Sequence, residues 1–560
     1  MGLSSKGLEE GVVITPPDDD MKPVPGQLGD LPNSEVHRGL SSRHVQFLAL
    51  GGCIGTGLFV GSGQSLSTVG PGKLVVWIYF RGCVYYRTCR KLHFTVRLLS
   101  RTNSFYSAFA HGIYCHIYCR VFIMNILGEM TTYLPMRGVS VPYFINRFTE
   151  PSLGFAIGYN YWYSFAMLTA SEVTAAGLVI QYWPSSVTVG VWITIVLFAS
   201  LKIIAIIGLI IVGVILFFGG GPNYDRLGFR YWENPGAFVE PYLVPNVNTG
   251  RFLAFWTALI KSGFSFIFSP ELIATTAGEA VSPRRNIPKA TNRLIYHLFT
   301  FYVMGTLVIG NDKNLLQGVA SGGSGASASP FEVGIQNAGI GLNHVINAAI
   351  LTSAWSSGTL GSMLYHVPCT PWHARVRHTK IFTRCTKDGV PYVVVLITWA
   401  IGLLSYLNLS NSGSNAFYWF TNITTVGGFI SWVLVGVAYL RFRRALDVHG
   451  LLDSRPFKTP FQPRGVYYAI VVVSLLAITN GYTIFFPGAF TASGFLVSYV
   501  VFAIFFVLYF DHKIWYRTPW MVPAADIDIF FGREEIDRLC EEEVEKVPRN
   551  WLQRFWWWIA

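Results

Sequence analysis

The sequence predicts an all-α polytopic membrane protein, and three observations carry that prediction. Of 560 residues, 52% are hydrophobic and only 13% charged, against roughly 25% charged in a soluble domain. Apolar runs near the ~20 residues needed to cross a bilayer recur along the whole chain. Basic residues gather in short connections between those runs, in "SPRRNIPKATNR", "KIFTRCTKDG" and "RFRRAL". Short basic loops mark the cytoplasmic face, so the net charge of +12 is read as topology and not as a nucleic-acid surface.

Taken in order, residues 1–44 are polar, contain "TPPDDD" and lack the apolar core of a signal peptide, which predicts a disordered cytosolic tail. Residues 45–511 are read as one transmembrane domain. Its spans fall near Val45–Gly70, Phe155–Trp183, Val191–Gly219, Phe252–Ala277, Leu294–Gly310, Val345–Tyr365, Val390–Leu407, Phe417–Leu440, Val466–Phe486 and Phe495–Phe510. A further span is expected just before Glu129. Residues 512–560 are read as a second cytosolic tail, which leaves both termini in the cytosol. The eight cysteines lie mostly in or beside apolar segments and suggest no secreted disulfide framework.

Two of the spans are interrupted. The first carries "GGCIGTGLFVGSG" (Gly51 to Gly63), six glycines in thirteen residues. Each weakens a helix, and an unpaired backbone group facing lipid costs several kcal/mol. Close packing explains the four-residue spacing of Gly51 with Gly55 and of Gly57 with Gly61. A deliberate break lining a ligand cavity explains it as well. The sixth span carries a matching interruption, which favours the break with packing kept as a secondary role for Gly51 and Gly61, because it reads "FSFIFSPE" (Phe264 to Glu271). Pro270 opposes helical geometry near Phe266, and Glu271 is an ionisable group at a depth where charge is expensive. Half-helix ends offer amides to an anion and carbonyls to a cation, which suits a zwitterion.

The stretches "SRHVQFLALGGCIGTGLFVGSG", "LGEMTTYLPMRG", "PELIATTAGEAVSPRRNIPKA", "NAAILTSAWSSG" and "SWVLVGVAYLRFRRAL" resemble fungal amino-acid permeases of the amino acid–polyamine–organocation superfamily. The resemblance runs from Ser42 to about Phe510. It implies a twelve-span, leucine-transporter-like fold whose first ten spans form two inverted repeats. It also implies proton-coupled amino-acid uptake across the plasma membrane, with an amino acid, protons and the bilayer as partners and no cofactor. Carried onto this chain, Ile54, Gly55, Thr56 and Gly57 supply amides for the substrate carboxylate. Phe266, Ile267, Phe268 and Ser269 supply carbonyls for the α-amino group, with an aromatic lid near Phe266 or Phe268. Ser269-Pro270 replaces the Gly-Thr more common before this glutamate. "FSPELIATTAGEA" points to neutral amino acids, proline included.

Four charged residues are candidates for proton coupling or gating. Glu271 is the first. Lys202 lies in "FASLKIIAIIGLIIVG", and in proton-using relatives a lysine of the fifth span stands where sodium-coupled cousins bind a cation. Glu172 lies mid-span in "LTASEVTAAG", balanced between a pathway role and an acid satisfied by a neighbouring helix. Glu129 in "LGEM" is read as a structural or gating hydrogen-bond partner.

Three stretches depart from the family pattern. Between Gly72 and Asn125 eight Lys/Arg and no acid replace an apolar second span. His111, Cys115, His116 and Cys119 there lack a paired metal module, so no metal site is assigned. The fourth and fifth spans look fused without their link, and "HVPCTPWHARVRH" has no apolar period. Residues 73–123, 197–201 and 359–379 therefore read as damaged or foreign sequence. The leading function is a secondary active transporter. The alternatives are an amino-acid sensor that moves nothing and a non-functional product of a faulty gene model. No nucleophile motif or HExxH is present, so an enzyme is not expected.

Overall fold

The computed structural model describes residues 122–135, 140–180, 201–222, 242–264, 267, 269–277, 282–294, 343–363, 392–405, 413–533 and 536–538, with single positions between them. Most of these residues are helical. The helices are α1 (122–133), α2 (Val141–Phe148), α3 (Pro151–Ile180), α4 (Leu201–Phe217), α5 (Val247–Ser262) and α6 (Ser269–Thr276). There follow α7 (283–294), α8 (Asn343–Met363), α9 (Tyr392–Gly402), α10 (Gly413–Val448), α11 (Arg464–Ile478) and α12 (Ala492–Tyr516). Tyr242 and Val244 form an isolated β bridge.

Local chemistry sets several ends. Asn246 caps α5 by accepting from the Thr249 N–H at 3.1 Å, and Thr491 caps α12 by accepting from the Gly494 N–H at 3.2 Å. Each satisfies an amide that has no partner within its own helix. Arg517 ends α12 in the left-handed region, at φ 47°.

α3 is the central pillar, packed against α2, α8, α9, α10 and α12. Its polar residues Asn160, Ser164, Ser171 and Glu172 are buried in protein, as the membrane demands of groups that lipid cannot solvate. α10 has 36 residues, about 54 Å at 1.5 Å each, so it outruns a ~30 Å hydrocarbon core and carries "RFRRAL" beyond it. Trp432, Tyr439 and Phe442 on α10 are among the largest fully buried side chains. α12 presents Phe495, Val507, Phe510 and Ile514 outward, the composition of a lipid-facing helix. α10 and α12 are the described helices that are both long and apolar enough to span a bilayer.

The boundary drawn at residue 511 falls inside α12. His512 and Lys513 are buried, and Lys513 pairs with Glu150 and donates to the Pro519 carbonyl at 2.8 Å. α12 thus runs five residues past that boundary, its last turns held by polar contacts. The described part of α4 is 17 residues, about 25 Å. Residues 181–200, where the missing link was expected, lie outside the described residues. α8 runs to Met363, so positions 359–363 continue a helix, and the rest of that stretch is outside the description. Residues 1–121 are outside it as well.

Candidate functional site

The sixth apolar run is split where the sequence predicts. α5 stops at Ser262 and α6 starts at Ser269. Between them the Gly263 N–H donates to the Ile260 carbonyl at 2.9 Å and the Ile267 N–H to the Gly263 carbonyl at 3.1 Å. Pro270 sits in the first turn of α6, where a missing N–H breaks no intrahelical bond. Glu271 shares that turn, close to the free amides and positive dipole end of the helix.

Glu271 is 2% exposed. Its Oε1 accepts from Trp432 Nε1 of α10 at 2.6 Å, and the Tyr161 hydroxyl of α3 lies beside the same carboxylate. One turn of α3 and one turn of α10 thus close on the break. Glycine makes the approach possible at two positions of α10. A Cβ on Gly428 would lie 2.3 Å from Ile267 Cγ2, and one on Gly427 would lie 2.1 Å from Ser164 Oγ. Asn160 fastens the crossing by donating to the Gly427 carbonyl at 2.9 Å and to Ser431 Oγ at 3.2 Å.

Gly428→Val is therefore expected to push α10 off the break and lower substrate uptake by more than about tenfold, which is the effect of ~1.4 kcal/mol or more. Gly402→Ala, where a Cβ meets nothing within 4 Å, is expected to leave uptake unchanged. Uptake of labelled substrate per unit of protein at the membrane reads both. Normal uptake by the valine variant refutes the crossing.

On the α5 side of the break lies a cavity of about 250 Å³. Lys261 and Phe264 line it from the end of α5, and Tyr418, Thr421 and Asn422 from α10. Asn480 closes it, donating to Asn422 Oδ1 at 2.7 Å. The Asn480 Oδ1 atom is buried with no hydrogen-bond partner among the described residues. Lys261 is a functional candidate that the sequence reading missed. The available signal was "LIKSGF", a lysine two residues before a glycine in an otherwise apolar run.

The other candidates fall in different places. Glu129 is saturated. Its Oε2 accepts from the Tyr439 hydroxyl at 2.5 Å and Arg455 Nη1 at 2.6 Å, and its Oε1 from the Thr459 N–H at 2.7 Å and hydroxyl at 2.5 Å. It joins α1 to α10 and to the connection after it. Glu172 is buried on α3, eleven residues beyond Tyr161 and so roughly 16 Å further along that helix. Ile267 is buried against Gly428. Lys202 lies in the first turn of α4, which packs on α8, and its side chain is outside the described residues, as is that of Ser269. Ile54, Gly55, Thr56, Gly57, Phe266 and Phe268 lie outside them too, as do His111, Cys115, His116 and Cys119. Among the described residues no three His, Cys, Asp or Glu side chains group as metal ligands.

The sequence model of the family described as "Amino acid permease" matches residues 44–113 and 112–521. A proline-specific permease of Emericella nidulans is 58% identical over an alignment of 587 residues, covering 99% of each chain. A proline-specific permease of Saccharomyces cerevisiae is 40% identical, over 99% of this chain and 87% of its own. A lysine-specific permease of the same yeast is 33% identical, over 94% of this chain and 83% of its own.

Proposed function

This chain belongs to the amino acid permease family, whose members are multi-pass membrane transporters of amino acids and not enzymes, and from that premise we propose proton-driven uptake of proline. The uptake runs inward across the plasma membrane, through a twelve-span, leucine-transporter-like fold with both termini cytosolic. The observation that carries the reading is the broken helix closed by α3 and α10 around the buried Glu271. Such breaks are where secondary transporters hold substrate and coupling ion, and rocking of one helix bundle against the other exposes the site to each side in turn. The preference for proline draws on the relatives, since identity is 58% and 40% to permeases named for proline and 33% to one named for lysine.

The roles follow from the chemistry of the ligand. Amides of Ile54 to Gly57 take the carboxylate. Carbonyls freed around Phe266 to Ser269 take the ammonium, which in proline has two N–H donors and so needs two acceptors. Glu271 exchanges the coupled proton, and Lys202 supplies a fixed cation at the fifth span. Glu129, with all four of its contacts inside the protein, pins the inner end of α1 to α10 as a gate element. Glu172 serves further along α3. Residues 73–123 are read as damaged sequence, and the two pieces of the family match overlap inside them at 112–113. The alignment of 587 positions against 560 residues also leaves at least 27 positions of the Emericella nidulans relative without a counterpart, in keeping with lost segments.

The test is expression of the full chain in a fungal strain without proline uptake. Saturable, acid-stimulated accumulation of labelled proline is expected. Binding without accumulation would overturn transport in favour of a sensor. The cavity beside the break adds a sharper expectation. It is lined by Lys261 and by Asn480, whose Oδ1 has no hydrogen-bond partner among the described residues. Lys261→Met should raise the KM for proline about tenfold, the value of one partly hydrated ion pair at ~1.4 kcal/mol, with the maximal rate less affected. An unchanged KM removes Lys261 from the substrate path.

A further inference from the structure

The described residues after α12, up to 538, pack back onto the protein. Val522 N–H donates to the Thr149 carbonyl at 3.2 Å, and Arg441 of α10 donates to the Val522 carbonyl. Arg147 of α2 donates to the Asp528 carbonyl at 2.7 Å and pairs with the Asp528 carboxylate at 3.3 Å. Ile527, Ile529 and Ile536 are buried in the main hydrophobic core. Further on, Arg533 donates to the Tyr133 hydroxyl of α1 at 3.1 Å, and Asp537 pairs with Arg284 of α7.

The two ends of this segment are fastened unequally. At the Asp528 end the carboxylate is 38% exposed, but the Arg147 side chain is only 6% exposed, donates to the Asp528 carbonyl as well and also donates to the Tyr143 hydroxyl at 2.6 Å. At the far end Asp537 is 39% exposed and Arg284 23%, and partly hydrated pairs exchange easily with water. The loose end holds the more consequential element. Six residues separate the end of α6 from the start of α7, so α7 is the next helix along the chain from the half-helix that carries Glu271.

We propose that residues 519–538 form a strap across the basic face of the protein, seated on α2 and α10 and reversibly hooked to α7 through Asp537 and Arg284, and that unhooking accompanies opening of the inner gate. The proposal rests on the alternating-access reading given above. While hooked, the strap ties α1 and α7 to α2 and α10, and the inner ends of these helices cannot separate. Breaking one partly exposed ion pair releases α7 from the strap, although Ile287, Ala290 and Leu294 keep it packed in the core, and leaves the strap seated through Arg147 and the buried isoleucines. A hook of this strength sets a modest barrier that thermal motion and substrate loading can cross.

The test joins the hook chemically. Arg284→Cys and Asp537→Cys are combined in the full chain and treated with a short bis-methanethiosulfonate reagent, whose link dithiothreitol cleaves. The parent chain, with its own eight cysteines, and each single variant serve as controls. A cross-linked peptide joining the two positions is expected by mass spectrometry, together with a loss of proline uptake of at least fivefold that reduction restores. A link that forms while uptake continues overturns the gate role, and the absence of any cross-linked peptide overturns the hook itself. Lack of uptake in the untreated parent would strike the transport reading instead, and the strap would then stand or fall on the cross-linked peptide, which requires no transport.

Discussion

Glu271→Gln is expected to abolish acid-stimulated accumulation of proline, lowering uptake at least tenfold, while exchange of labelled for unlabelled proline across the membrane persists. Glutamine keeps an oxygen to accept from Trp432 Nε1, so the 2.6 Å bond that closes α10 on the break has a replacement partner. What it removes is the capacity to gain and lose a proton. A buried carboxylate in a membrane protein has a large energetic incentive to exchange that proton whenever its access to water changes, and alternating access changes it every cycle. Exchange needs the substrate site to be reached from both sides but needs no net proton movement. The measurement is uptake and exchange at several outside pH values, normalised to protein at the membrane. Accumulation that still rises as the outside is acidified would assign Glu271 to structure alone. Trp432→Phe separates the two contributions, since it removes the hydrogen bond and keeps the carboxylate.

Much of this site was legible because its signals are local. Pro270 and Glu271 are adjacent, and a proline beside an acid in an apolar run announces a break without knowledge of any other helix. The glycines of α10 carry no such signal. Gly427 and Gly428 read as ordinary small residues until Ser164 and Ile267, which approach them from α3 and the break, are in place. Glu129 shows the same limit. Its partners Arg455 and Thr459 lie more than 300 positions away along the chain, so its saturation could not be read from "LGEM". Lys261 was passed over for a different reason. A single lysine hardly changes the apolar average of its span, and only the cavity gives it a neighbourhood. The segment 519–538 was read as a tail because its buried isoleucines are scattered among acidic and polar residues. Its order comes from arginines on α2, α7 and α10 that sequence proximity does not reveal.

Gly55→Val and Gly57→Val are expected to have the largest effect of any substitution in the chain, reducing proline uptake about a hundredfold or more with membrane insertion unchanged. The family resemblance places these residues in the unwound part of the first span, where amides meet the substrate carboxylate. A hydrogen bond to a charged group is worth about 1.5–3 kcal/mol, so losing two amide contacts costs ~3 kcal/mol at the least. Valine acts twice. Its branched Cβ fills the space through which a carboxylate must approach the backbone, and it resists the open conformations that glycine adopts freely. If these glycines instead serve helix packing alone, the variants should lose folded protein and transport together. Alanine distinguishes the cases, because its single methyl obstructs a ligand partly but suits a packed helix. Uptake is therefore expected to fall in the order glycine, alanine, valine at constant protein level, with proline affinity falling in step. Full uptake by both valine variants would place the carboxylate site elsewhere and leave the break of α5 and α6 without its partner.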